Sequence, residues 1–521
     1  MNPLIYLVYW LPLLPLCAAL LIGLPLLRAP GWASTQVAAD QAEGRVLAYA
    51  NGAALLCLLL LLAIDWTVWQ RGSGVVANFA TWLEIDGVAL NFSFLLDRSS
   101  LPFATLIALI GWITLRFSAT YLHREVGFRR FFALLNLFLS GMFTVVLAGN
   151  LALALVGWEL VGLSSWLLIG YAWARPQATH NALFVCLTQR IGDAAFILAI
   201  ALAVWFAHSL EWQTLNSETL LHSGESRLFV LSLLIAALIK SAQLPFSPWL
   251  TRALDGPTPS SALFYGGLMI HLGVYLVLRL EPLLLRMPEM MNLLLCIGLC
   301  TALYAQCCGW VQSNVKAALI LSTLTQVGLM FFFCGLGLFT LANVHLCLHA
   351  AWRSYQLLLA PSFLQLVRAP TPPRALPWLE RKLFQWRWLY TGAGQGFWLE
   401  ALAHNLLTRP SYAVSHDLRG LDQRVIDPLL GVPYVAPSPE QSQQDSAAHY
   451  TPEHSHGVAE YLLATLATHC QSLENHLLLR QDGLLKRVLQ HLGQNMLIIE
   501  DLLEQPRYLL LMVIATFVVI L

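Results

Sequence analysis

Eleven apolar runs, most of them close to 20 residues long, follow one another before residue 366, and such a chain can satisfy its backbone in few ways. A bilayer interior offers no water to unpaired N–H and C=O groups, so each run must close its hydrogen bonds within itself as a helix. The runs fall at 4–27, 45–65, 100–119, 131–148, 150–171, 181–207, 228–251, 260–280, 291–311, 315–335 and 338–365, and residues 506–521 add a shorter twelfth. Only 11% of the residues are charged, where soluble domains carry about 25%. The expected fold is therefore an all-α polytopic membrane protein with about 12 transmembrane helices. A formal net charge of zero argues against a nucleic-acid partner. The first run has no basic stretch before it and reads as a retained helix.

Two segments break the pattern. Residues 66–99 alternate polar and apolar around Gly87 and are expected to form a short hairpin outside the membrane. Residues 369–505 begin with prolines, contain the linker-like stretch 437–445, and hold amphipathic helical patterns at 460–469 and 482–491. They suit helices lying on the membrane or against a partner. His449, His454 and His456 lack a fourth ligand and read as a solvated loop, and no metal is expected in this chain. Nine of the ten cysteines lie in apolar helices, without the spacing of a zinc ribbon.

Arginine placement sets the expected orientation. Loop 120–130 holds His123, Arg124, Arg129 and Arg130 against Glu125, whereas loop 208–227 holds Glu211, Glu218 and Glu225 against Arg227. With the first loop in the cytoplasm, both termini lie outside and residues 369–505 lie inside.

Several charges fall within the spans. Lys240 sits deep in the seventh run, and Pro245 five residues later must break that helix. An intramembrane lysine beside a helix break is a functional-site hypothesis by default, here a proton site. Glu159 lies in the fifth run. Arg190 and Asp193 lie in the sixth, close enough to neutralise one another. His271 is in the eighth and Lys316 opens the tenth, while His345, His349 and Arg353 stack on one face of the eleventh at i, i+4 and i+8. Titratable groups in successive helices suit a proton relay, because each hop needs a partner within hydrogen-bond reach. A pore or a scaffold with internal ion pairs is the alternative.

The runs Trp158-Glu-Leu-Val-Gly-Leu-Ser-Ser, Arg190-Ile-Gly-Asp, Lys240-Ser-Ala-Gln-Leu-Pro, Gly256-Pro-Thr-Pro-Ser-Ser-Ala and Val311-Gln-Ser-Asn-Val-Lys resemble the antiporter-like subunits of respiratory complex I and of Mrp sodium/proton antiporters. The resemblance covers about residues 78–360. It implies two inverted helical repeats, each with a broken helix, and a glutamate–lysine couple at Glu159 and Lys240. The family's later lysine falls on Lys316; together with the titratable groups read above, the expected proton pathway runs through Glu159, Lys240, His271, Lys316, His345 and His349, with Arg190, Asp193 and Arg353 in electrostatic support. The chain then divides into 1–99 (two helices and the hairpin), 100–281 (first repeat), 282–368 (truncated second repeat), 369–505 (cytoplasmic region) and 506–521 (last helix).

Departures from the family pattern matter as much. Tyr265 stands where the family has its eighth-helix histidine. Arg353 replaces a lysine, and an arginine cannot release a proton. Residues 369–505 replace the helices that would complete the second repeat. In this the chain is most similar to the membrane subunit of DAB inorganic-carbon accumulation complexes. That resemblance implies a bacterial inner-membrane protein that conducts protons or sodium ions and drives a cytoplasmic, zinc-containing, β-carbonic-anhydrase-like partner docked on 369–505. Catalysis and zinc would then reside in the partner. A subunit of a complex I variant, a Mrp-type antiporter and a mere membrane anchor are the other readings.

Overall fold

The computed structural model describes residues 3–28, 36–72, 74–85, 88–216, 224–312, 314–366 and 387–421. The chain forms two units, one up to Ala403 and one from His404. In the first, a 3₁₀ turn Pro3–Tyr9 leads into α1 (Trp10–Arg28), followed by α2 (Gln36–Arg71) and the strands β1 (Val75–Ile85) and β2 (Val88–Leu96). Then come α3 (Ser100–Tyr121), α4 (Phe128–Leu147), α5 (Leu151–Ile169), α6 (Pro176–Ala207), α7 (Gly224–Lys240) and α8 (Pro248–Arg252). The next span, α9 (Thr258–Arg279), contains a π turn Ala262–Gly267 and a 3₁₀ turn Met269–His271. It is followed by α10 (Pro288–Trp310), α11 (Val315–Gly335), α12 (Phe339–Leu366), α13 (Arg387–Gly394) and α14 (Leu399–Ala403). The described part of the second unit is a π turn His404–Thr408 and α15 (Arg409–Leu421).

Among the described residues, nine helices are long and apolar enough to cross a bilayer, and the chain is a multi-pass membrane protein. Two of the eleven expected spans fall outside that group. α7 stops at 17 residues because the chain turns at Lys240. α12 carries His345, His349, Arg353 and Gln356, which lower its hydropathy. The linker 437–445, the patterns 460–469 and 482–491, the three histidines near residue 450 and the run 506–521 lie outside the described residues.

The hairpin is stapled to the α4–α5 turn. Asn150 caps α5 by accepting from Leu153 N at 2.9 Å, and its Nδ2 donates to Asn91 O at 2.7 Å and Ser93 Oγ at 2.9 Å. Ser93 Oγ in turn donates to Glu211 Oε2 at 3.1 Å. Within the bundle, where lipid is as apolar as leucine, close packing replaces water exclusion as the force between helices. A Cβ on Gly157 of α5 would lie 2.7 Å from Gly141 O of α4, so this close approach requires glycine. Phe138 and Phe264 stack with ring centres 3.8 Å apart, joining α4 to the π turn of α9.

Of the region 369–505, the described residues belong partly to the first unit. Arg252 pairs with Glu400, and Tyr304 donates to Gly396 O at 3.5 Å. Trp388, Tyr390 and Trp398 stand exposed.

Candidate functional site: a buried polar track

The helix break after Lys240 frees backbone groups, and the protein answers them. Ala242 N reaches back to Ile239 O at 3.1 Å and Gln243 N to Leu238 O at 2.8 Å. Trp249 Nε1 also donates to Ile239 O, at 2.9 Å. Leu244 N donates to Thr301 Oγ1 at 3.0 Å. Ala242 takes a left-handed φ of 53° inside this turn, an uncommon conformation for a residue with a Cβ. Pro245 lies within the turn, so the helix break expected from sequence is present. A Cβ on Gly273 would collide with Ala237 O, so the missing side chain lets α9 lie directly against α7 one turn before Lys240.

Lys240 is 2% exposed. Its Nζ donates to Trp158 O at 3.2 Å and to Gln189 Oε1 at 3.4 Å, and lies 4.8 Å from the centre of the Trp158 ring. Both acceptors are neutral. The expected Glu159–Lys240 couple is therefore not a direct contact. Arg190 Nη2 instead reaches Glu159 Oε2 and Asp193 Oδ2, each at 2.8 Å. A guanidinium can bridge two carboxylates at once, whereas an ammonium is a point charge, which is why Arg190 takes the glutamate. The expected Arg190–Asp193 pair is present. Trp158 Nε1 donates to Asp193 Oδ1 at 3.1 Å, so this tryptophan touches both the lysine and the ion-pair network. Two cations and two carboxylates sum to zero charge. Glu159 and Arg190 also line an open cleft of about 530 Å³ between α5 and α6, walled by Leu163, Trp166 and Val185.

A second cluster forms where α9, α11 and α12 meet. His271 Nε2 and His349 Nδ1 lie 3.1 Å apart, so one ring nitrogen donates and the other accepts. The His349 and His345 rings are 5.9 Å apart, and His345 Nε2 lies 3.1 Å from Gln326 Oε1. Arg353 Nη2 donates to Ser322 Oγ at 2.8 Å. His271, His349 and Arg353 are all buried. The shared face read from the i, i+4, i+8 spacing thus meets its partners on α9 and α11. Tyr265 belongs to neither cluster; its hydroxyl lies 2.9 Å from Ser165 Oγ of α5.

The two clusters abut at one hydrogen bond. Ser241 Oγ, next to Lys240, donates to Ile270 O, next to His271, at 2.6 Å. Lys316 is not drawn in. It is half-buried at the start of α11, ten residues or about 15 Å from Gln326 along that helix. Among the described residues its side chain has no hydrogen bond or ion pair. Sequence reasoning missed Gln189, Gln326, Trp158 and Ser241 as participants. Gln189 had a usable signal, a polar residue beside Arg190 inside an apolar run; Trp158 and Ser241 are ordinary buried residues until the fold supplies their partners.

Residues 148–370 match the family described as NADH:quinone oxidoreductase/Mrp antiporter, TM. Residues 82–132 match that described as NADH-Ubiquinone oxidoreductase (complex I), chain 5 N-terminus. NADH-ubiquinone oxidoreductase chain 5 of Pongo abelii is 38% identical over 281 residues, 54% of this chain and 46% of that one. NAD(P)H-quinone oxidoreductase subunit 5, chloroplastic, of Piper cenocladum is 33% identical over 348 residues, 65% of this chain and 46% of that one. The chain spans about half the length of the curated relatives it matches. Two solved structures share the fold. The Mrp complex from Dietzia sp. DQ12-45-1b superposes with a TM-score of 0.57 at 24% identity, over 67% of this chain and 37% of that one. The membrane-bound sulfane sulfur reductase, an archaeal respiratory membrane complex, gives 0.58 at 18% identity, over 67% and 70%.

Proposed function

Because this chain belongs to the antiporter-like membrane subunits of respiratory complex I and Mrp antiporters, we propose that it conducts protons as one subunit of a multi-subunit membrane complex. The observation that carries this reading is Lys240. It is an almost fully buried ammonium at a helix break, held by neutral acceptors, and the next residue, Ser241, bonds the carbonyl of Ile270 beside His271. A lysine placed so can give up its proton without breaking a direct ion pair, because both of its acceptors are neutral. The neighbouring charges of Glu159, Arg190 and Asp193 then bias that event from α5 and α6, while His271 and His349 are the groups on the far side of the turn. The test is proton flux in proteoliposomes under an imposed gradient, with and without a protonophore. Lys240→Met keeps the length and apolar stem, and should lower flux by at least about 100-fold, the scale of a lost proton-transfer group. Full flux in that variant would sink the reading.

A narrower reading has one observation in its favour. The family match ends at residue 370, so most of the region beyond is unaccounted for by the antiporter family. That suits a subunit of an inorganic-carbon accumulation complex, with a cytoplasmic zinc β-carbonic-anhydrase-like partner on 369–505, in a bacterial inner membrane with the N-terminus outside. The relatives named above are complex I, chloroplastic and Mrp proteins, so the broader reading stands first. Purification in mild detergent separates the two. A zinc protein that co-purifies and is lost on deleting 450–500 favours the narrower one, and hydrophobic membrane subunits as the only companions disfavour it.

A further inference from the structure

The turn after Lys240 leans on two neighbours, and one later segment of the chain touches both. The first is α8, five residues long and too short to be stable without tertiary contacts. Its fully buried Trp249 donates to Ile239 O, the carbonyl that precedes Lys240 in the chain. The second is α10, whose Thr301 accepts from Leu244 N inside the turn at 3.0 Å. Residues 387–403 reach α8 at Arg252, whose Nε donates to Glu400 Oε1 at 3.1 Å. They reach α10 at Tyr304, one turn on from Thr301: its hydroxyl donates to Gly396 O at 3.5 Å, and its ring centre lies 5.9 Å from that of Phe397. The Arg252 side chain is only 17% exposed. It lies over the Phe184 ring of α6, 4.7 Å from the centre, and its Nη1 donates to Asn181 Oδ1 at 3.3 Å. The same helix α6 carries Gln189, an acceptor of Lys240. Gly396, Phe397 and Trp398 take left-handed φ values of 55°, 50° and 57° in succession, uncommon for the two that carry a Cβ. Such backbone persists where its surroundings hold it, and here Gly396 and Phe397 sit against Tyr304.

We propose that residues 387–403 form a strap that positions the Lys240 turn, with Glu400 as the positioning residue. The inference rests on the proton-conducting reading and extends it: the antiporter family match ends at residue 370, so conduction depends on a part of the chain beyond that match. Each link is a contact. Glu400 fixes Arg252, Arg252 fixes α8 against α6, and α8 holds through Trp249 the carbonyl that precedes Lys240. The Lys240 Nζ contacts, 3.2 Å to Trp158 O and 3.4 Å to Gln189 Oε1, lie at or beyond the long end of the hydrogen-bond range. A small drift of the turn therefore breaks them. When Glu400 lets go of Arg252, α8 loses its outer tether, and the lysine no longer presents its proton to fixed acceptors.

The test uses the full chain with its co-purifying partners in proteoliposomes containing a trapped pH dye. Glu400→Gln should lower gradient-driven flux about tenfold, short of the roughly 100-fold that a 1 Å misplacement produces. The Glu400 side chain is 52% exposed, so this variant should assemble and melt as the wild type does. Glu400→Asp keeps the charge and should recover most of the lost flux. Arg252→Gln should lose at least as much as Glu400→Gln, and adding Glu400→Gln to it should lower flux no further. Glu289→Gln opens an exposed pair with Arg227 at the other end of α10 and should leave flux unchanged. An equal loss in Glu289→Gln, an aspartate variant no better than the glutamine one, or losses that multiply in the double variant would each overturn the strap. If Lys240→Met is inactive while Glu400→Gln and Arg252→Gln keep full flux, the strap is refuted and the proton reading survives. If the wild type shows no protonophore-sensitive flux, both are refuted.

Discussion

Ser241 Oγ donates to Ile270 O at 2.6 Å, which ties the residue after Lys240 to the residue before His271. Two polar clusters on different helices thereby share one backbone junction. The α7 turn and the irregular middle of α9 have both given up regular helical bonding at this point.

Ser241→Ala tests that junction. Losing a buried hydroxyl-to-carbonyl bond should cost about 1–2 kcal/mol of stability. Proton flux should fall more than melting temperature alone explains. A variant with normal flux and slightly lower melting temperature would make the bond purely structural.

The ion-pair network calls for a double-mutant cycle. Arg190→Gln leaves Glu159 and Asp193 without their shared cation. The arginine side chain is 49% exposed, so the loss should lie near 1–2 kcal/mol, below the roughly 3–5 kcal/mol of a buried pair. Adding Glu159→Gln removes one stranded anion and should recover part of that stability. Strictly additive losses in thermal melts would show that the two residues do not couple.

His349 separates relay from scaffold. His349→Gln can still hydrogen-bond His271 but cannot carry a proton near neutral pH. His349→Phe strands His271 Nε2 in a buried site, at a cost of about 1–3 kcal/mol. Both should abolish flux, but only the phenylalanine variant should melt early. Normal transport by the glutamine variant would remove the histidines from the route.

Asp97 gives a pH signature. Burial alone would push its carboxyl up, but Arg279 and the N–H groups of Ser100 and Ser99 outweigh burial and hold it below the usual carboxylate range. A carboxyl depressed on folding contributes stability that is present above its unfolded value, near 4, and lost as pH falls through the folded value. Acid should therefore weaken the hairpin end only below about pH 4. Asp97→Asn should lower the melting temperature at pH 7 and flatten that acid limb. An unchanged acid limb would mean that other carboxylates set it.

What the chain discloses before folding is mostly local. Pro245 announces the end of α7, the i, i+3 spacing announces Arg190–Asp193, and the spacing of His345, His349 and Arg353 announces their common face. Contacts between distant segments are silent. Arg279 and Asp97 lie 182 residues apart, and neither has a neighbour in sequence that points to the other. The direct partner of Glu159 was silent for a related reason. Arg190 and Lys240 are both cations within reach of α5, and only geometry decides which one the carboxylate meets. The irregular α9 was hidden too, because an apolar run reads the same whatever its winding.

That winding has a consequence of its own. A regular helix advances about 100° per residue, and a wide turn lets downstream residues lag behind that schedule. The π turn Ala262–Gly267 thus acts as a phase shifter within α9. Upstream of its end, Tyr265 addresses α5 through Ser165; beyond it, His271 addresses α12 through His349. Had the helix kept strict time, the position facing His349 would pass toward Ile270 or Leu272, both hydrocarbon. The join between the two polar clusters is thus encoded in angular bookkeeping along α9, and a single inserted or deleted residue there could erase it without changing any charged residue of the chain.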